Sequence, residues 1–198
     1  MSTPLMQVRD LSMNFTGLRA LSEVSFNVAE GRITGIIGPN GAGKTTLVNL
    51  IAGRYRPRGG RIVFAGRDIT RLPPDAICRL GISRTYQTVR PFPGLTVLDN
   101  VRVALLYGRR AGTLTHAAIE RETLELLAFV HLHALGERRA ETLIPLERKR
   151  LELARALATD PRLLLLDELI AGRTPTEALE LMTTVRAINA RGVTVLLI

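Results

Sequence analysis

Gly38-Pro39-Asn40-Gly41-Ala42-Gly43-Lys44-Thr45-Thr46 fits the pattern G-x-x-x-x-G-K-[ST], and its reading decides the fold. Glycines let a backbone curl around an anion and turn its N–H groups inward. Lys44 offers a flexible point charge for β- and γ-phosphates, and the Thr45 hydroxyl is a ligand type for Mg²⁺. Immediately upstream, Arg32 to Ile37 reads as a short apolar strand; downstream, Thr45 to Ala52 reads as a helix. A helix N-terminus pointed at phosphate adds favourable dipole electrostatics. Of the 27 basic residues only Lys44 and Lys149 are lysine, so lysine stands where a flexible point charge is needed in a chain that otherwise uses arginine.

The rest of the chain must supply a sheet for that loop, and 198 residues suffice for one α/β domain with a small inserted lobe. No apolar run approaches the roughly 20 residues of a membrane span. Met1-Ser2-Thr3-Pro4 lacks the charged and apolar regions of a signal peptide. Cys78 is the only cysteine, which rules out an internal disulfide and fits a reducing compartment. The net charge of +9 is spread from Arg9 to Arg191, and aromatics are 4% with no Trp, so stacking platforms for single-stranded nucleic acid are not visible. An arginine-rich bias or attraction to an anionic membrane surface accounts for the charge as well.

Outward from the loop, Leu5 to Leu11, Ser22 to Val28 and Arg61 to Phe64 alternate as strands. Pro73-Pro74 opens a short helix to Leu80, and Gly81 to Tyr86 returns as a strand. From Thr96 the period becomes helical: Val97 to Leu106, then Ala117 to Leu132 with Leu124, Leu127 and Ala128 expected on one face. This predicts a helical lobe over residues 88–146. Glu147 to Thr159 reads as a helix, Arg162 to Leu166 as a buried strand, Pro175 to Ala190 as a helix and Val193 to Ile198 as a strand. A final strand with nothing after it suggests a sequence cut short.

Asp167 and Glu168 follow Leu163 to Leu166, at the carboxyl end of a parallel strand, where ligand sites of such sheets lie. Asp167 is placed to hold Mg²⁺ and Glu168 to orient or deprotonate a water attacking the γ-phosphate.

These residues together resemble the ATP-binding subunits of ABC transporters, and more closely those of branched-chain amino-acid uptake. The resemblance runs over essentially the whole chain. It is carried by Leu18 to Leu21, Gly38 to Thr46, Gly81 to Gln87, Pro91 to Val97 and Leu151 to Asp167. It implies a P-loop NTPase core with an inserted helical subdomain and an N-terminal antiparallel β region, all in one domain. It also implies ATP and Mg²⁺ as cofactors, with Gly38, Pro39, Asn40, Gly41, Ala42, Gly43, Lys44, Thr45 and Thr46 around the phosphates. Phe15 matches the aromatic that stacks on adenine, and Gln87 the glutamine that joins Thr45 and Asp167 on Mg²⁺ and senses the membrane partner. Glu168 and Lys44 take the catalytic roles. The implied partners are a second ATP-binding subunit, identical or different, integral permease subunits and, indirectly, a substrate-binding protein. Nucleic acid is not among them, and the implied place is the cytoplasmic face of the plasma membrane.

Three departures stand beside the matches. The Leu-Ser-Gly-Gly-Gln signature of the family falls on Leu143-Ile144-Pro145-Leu146-Glu147, without its serine and glycines. Leu169 and Thr174 replace the family's Pro and Asp or Asn, and the switch histidine would fall beyond Ile198. His116, His131 and His133 lie in the helical lobe, and the last two are spaced wrongly for one helix face. The departures leave open a subunit that binds ATP with little hydrolysis. A soluble P-loop kinase or nucleic-acid-associated ATPase fits the loop but not the surroundings of Gln87 and Leu151 to Asp167.

Overall fold

A computed structural model of the chain describes residues 4–15, 17–86, 91–168, 172 and 174–198. Its N-terminal part is an antiparallel sheet of β1 (Met6–Phe15), β2 (Leu18–Val28), β4 (Gly59–Phe64) and β5 (Arg67–Asp68) in the order β2-β1-β4-β5. Met6, Val8, Leu11 and Met13 of β1 are buried, and Met6 and Val8 face Phe64 and Ile62 of β4. Alternation buries one side of a strand and leaves the other polar, which is the pattern the sequence carries here.

The second sheet is parallel: β3 (Ile33–Gly35), β8 (Thr194–Leu197), β7 (Leu163–Leu166) and β6 (Ile82–Arg84), in the order β3-β8-β7-β6. All four leucines of β7 are fully buried, as a strand covered on both faces requires. Leu163 and Leu165 enter the core shared with the antiparallel sheet, α1 (Lys44–Ile51) and α2 (Pro74–Arg79). Leu164 and Leu166 enter the core made with α3 (Val97–Tyr107), α4 (His116–Phe129), α5 (Pro145–Ala158) and α6 (Pro175–Ala190). β7 thus joins both cores and carries Asp167 at its end.

Two expectations change. The strand before the loop is shorter than Arg32 to Ile37: the Ile36 N–H makes the last ladder bond, to the Leu197 carbonyl at 2.8 Å, and Ile37 is 97% exposed. In α4 the buried face is Ile119, Thr123 and Leu127, while Leu124 and Ala128 point outward. The Thr123 hydroxyl donates to the Ile119 carbonyl at 2.7 Å, which lets a polar side chain sit in the core. His116, His131 and His133 are exposed, and His131 and His133 lie beyond the end of α4.

Candidate nucleotide site

The loop between β3 and α1 is shaped by its glycines. Gly41 and Gly43 have φ of 83° and 84°, left-handed conformations in which a Cβ is strained. At Gly43 a Cβ would also lie 2.4 Å from the Ala20 carbonyl oxygen of β2, so only glycine allows α1 to begin there. Gly43 is the N-cap; α1 has no side-chain cap and no acidic residue in its first turn. Its leading N–H groups therefore point to an outside anion. Lys44 Nζ donates to the carbonyls of Gly38 and Pro39 at 2.6 and 2.7 Å, which holds the ammonium over the loop. Thr45 is exposed at the start of the helix.

At the other strand end, Asp167 is 1% exposed. Its Oδ2 accepts from Arg84 Nη2 at 3.2 Å, and its own N–H donates to the Thr85 hydroxyl at 3.3 Å. Arg84 also donates to Asn49 Oδ1 of α1 at 2.6 Å, so one guanidinium ties α1, β6 and β7 together. Asp167 Oδ1 is buried without a partner. Burial raises the Asp167 carboxyl above its ordinary value; Arg84 opposes this and Glu168 adds to it. Glu168, next in the chain, has φ of 49°, a left-handed conformation uncommon outside glycine.

Thr45, Asn49, Arg84, Tyr86, Glu152 and Asp167 line one cavity of about 620 Å³. It lies between α1, α2 and β6 on one side and α3 and α5 on the other. Of the residues expected at the site, Thr45 and Asp167 meet there, and Lys44 and Glu168 adjoin them in sequence. Gln87 lies outside the described residues. Phe15 sits at the end of β1, its ring edge-on to Tyr55 with centroids 5.3 Å apart. The sequence marks Arg84 as part of the stretch Gly81 to Gln87 but not its bonds to Asp167 and Asn49, which arise only through the strand order and the seat of α1.

The departures are visible too. Ile144 is the N-cap of α5 and is 58% exposed, with no side-chain cap. Glu147 Oε2 accepts the Ile144 N–H at 2.9 Å, and Pro145 at the first helical position has no N–H. Thr174 caps α6, accepting the Glu177 N–H at 3.3 Å.

A nucleotide with a hard divalent cation fits these residues. The loop presents uncapped N–H groups, Asp167 and Thr45 line one cavity, and Asp167 keeps one buried oxygen without a partner. Among the described residues no three His, Cys, Asp or Glu side chains gather around a metal.

Known proteins agree with this geometry. The chain is 40% identical to the high-affinity branched-chain amino acid transport ATP-binding protein LivG of Salmonella typhimurium, over all of the chain and 82% of LivG. It is 38% identical to the lipopolysaccharide export system ATP-binding protein LptB of Acidithiobacillus ferridurans, over 98% of the chain and 78% of LptB. The ADP conformation of MJ1267, an ATP-binding cassette of an ABC transporter, superposes with a TM-score of 0.88 at 32% identity, over 99% of the chain and 81% of MJ1267. With the family described as ABC transporter matching residues 21–171, where the loop and Asp167 both fall, the chain belongs to the ABC transporter family as one of its ATP-binding subunits.

Proposed function

We propose that this chain is the ATP-hydrolysing subunit of an importer for branched-chain or related amino acids, working on the cytoplasmic face of a membrane. The observation that carries the reading is the uncapped start of α1 at Lys44, whose Thr45 shares one cavity with Asp167 and its buried, unpartnered oxygen. We read residues 1–198 as one ATPase domain with a helical lobe over 88–146. Among the described residues no helix is long and apolar enough to cross a membrane, so permease subunits would make the pathway. Cargo follows from the likeness to LivG alone, since LptB is nearly as similar and is named for lipopolysaccharide.

Lys44 and the N–H groups of the loop orient the β- and γ-phosphates and neutralise charge that builds on them. Thr45, Asp167 and Gln87 would hold Mg²⁺, which supplies further charge neutralisation when bound. Asp167 must be ionised for this, and its burial makes ionisation costly until a cation arrives. Arg84 limits that cost by donating to Oδ2 and leaves Oδ1 for the cation. Glu168 orients the attacking water and accepts its proton. Phe15, with Tyr55 behind it, offers a face to adenine. A second ATP-binding subunit, identical or different, would pair with this one. A cytoplasmic segment of the permease would dock on this subunit, so that closure of the pair is transmitted to the pathway.

The test is hydrolysis by the purified chain. Glu168→Gln is expected to lower kcat about 100-fold while ATP affinity stays within about twofold. Unchanged kcat would remove Glu168 from its role. Cargo is tested by reconstitution with a branched-chain amino-acid permease, where stimulation by leucine-loaded binding protein is expected.

A further inference from the structure

Helix α5 carries Lys149, Glu152 and Arg155 at three-residue spacing on a side turned into the molecule. Lys149 and Glu152 are 5% and 6% exposed. Such groups are buried only where other charges and hydrogen bonds satisfy them. Here what satisfies them is a stretch of main chain. Lys149 Nζ donates to the Tyr86 carbonyl at 2.6 Å and to Glu152 Oε2 at 3.2 Å. The Tyr86 N–H donates to the other oxygen of Glu152. Both polar main-chain groups of Tyr86 are thus gripped by one ion pair, 63 and 66 positions further along the chain.

The grip lies between two other contacts. Arg84, which binds Asp167 and Asn49, lies 4.5 Å over the Tyr86 ring. Arg155 lies 4.6 Å over the ring of Phe92. One side of α5 thus holds both Tyr86 and Phe92. Apolar side chains can fill buried space without the desolvation cost of a charge pair. Charged ones are required where main-chain N–H and C=O groups outside regular structure must be fixed.

We propose that Lys149 and Glu152 are positioning residues of the ATPase site. They fix the Tyr86 main chain, and through the Tyr86 ring they hold Arg84, the partner of Asp167 at the cation edge. The proposal rests on the function proposed above. It makes α5 and the cation edge of the nucleotide site move as one unit, since α5 cannot shift without drawing Tyr86 along. Neither side chain is a catalytic residue, because both act through Tyr86.

The test uses the whole chain with Lys149→Met, Glu152→Gln and the double substitution Lys149→Met/Glu152→Leu, which keeps the space filled. Arg150→Met, on the outer side of α5 where Arg150 pairs with Glu180, is the control. Each single variant is expected to lower kcat about tenfold and to raise the Mg²⁺ needed for half-maximal rate about tenfold. The ATP affinity measured in chelator is expected to stay within about twofold. The double variant is expected to lose no more than the worse single one, as for two groups acting on one peptide. Hydrogen–deuterium exchange is expected to quicken in the peptide spanning 84–92 and to stay unchanged in β7. Arg150→Met should match the wild type in all of these.

Unchanged Mg²⁺ dependence, losses that follow melting temperature alone, or exchange over 84–92 no faster than in the wild type would each overturn the proposal. If the wild type binds ATP but does not hydrolyse it, the proposed function fails by itself. The positioning role is then decided by exchange and by the Mg²⁺ dependence of ATP binding.

Discussion

Two helix N-termini in this molecule carry the same dipole and put it to opposite use. At α1 the N-cap is Gly43, no side chain accepts the leading N–H groups, and the first charged residue is Lys44. At α5 the N-cap is Ile144, Pro145 removes one N–H, and Glu147 folds back onto the Ile144 N–H. The first end is left open for an anion from outside, whereas the second supplies its own carboxylate. A helix start is therefore not a phosphate site by virtue of being a helix start. The residues at the cap and in the first turn decide whether its positive end is offered or already used.

The largest effect that would sharpen this contrast is on ATP itself. Lys44→Ala should reduce hydrolysis by about 100-fold or more, while Glu147→Gln should leave the ATP affinity of the isolated chain within about twofold. Calorimetric titration beside a phosphate-release assay checks both, and equal losses at the two ends would break the comparison. Next comes the backbone. Gly43→Ala drives a Cβ to 2.4 Å from the Ala20 oxygen at a φ of 84°, and about 3 kcal/mol of stability should be lost in urea denaturation. Pro145→Ala should change stability by no more than about 0.5 kcal/mol.

Ile144→Ser should stabilise the chain by about 1 kcal/mol, because an exposed apolar cap gives way to a hydroxyl that can take the Glu147 N–H. Glu147→Ala should cost about 0.5 kcal/mol by removing the self-supplied anion. The last prediction is one of sign. Burial, the main influence on Asp167, raises its carboxyl, so its contribution to stability is fully present below the ordinary carboxylate range. That contribution is lost as pH rises through the raised value. Melting of nucleotide-free wild type relative to Asp167→Asn should therefore be most favourable near pH 4 and decline toward neutrality. The reverse slope would mean that Arg84 outweighs burial.

What could be read from the sequence was what is local. The loop and the strand ending in Asp167-Glu168 are runs of neighbouring residues whose chemistry follows from their order. The buried leucines of β7 needed only their uniformity. Arg84 on Asp167 and Lys149 with Glu152 on Tyr86 are different, because those contacts exist only once strand order and helix packing bring distant segments together. The face of α4 departs from its apolar spacing for a related reason. Thr123 looks like a surface residue until its hydroxyl bonds the Ile119 carbonyl, and Leu124 then turns outward. The apolar run extends the expected strand through Ile37, although the ladder ends at the Ile36 N–H and the chain then leaves the sheet to form the loop.

The meeting of Gly43 with the Ala20 carbonyl has a thermodynamic consequence for the phosphate loop. The backbone at the start of α1 comes so close to the β2 main chain there that a Cβ would not fit between them. The loop is thus set in shape when the chain folds and keeps little freedom to lose afterwards. Its ordering entropy is charged to folding and not to the arrival of ligand. Capture of an anion by this preorganised loop is then governed by encounter and desolvation, with no loop closure to wait for.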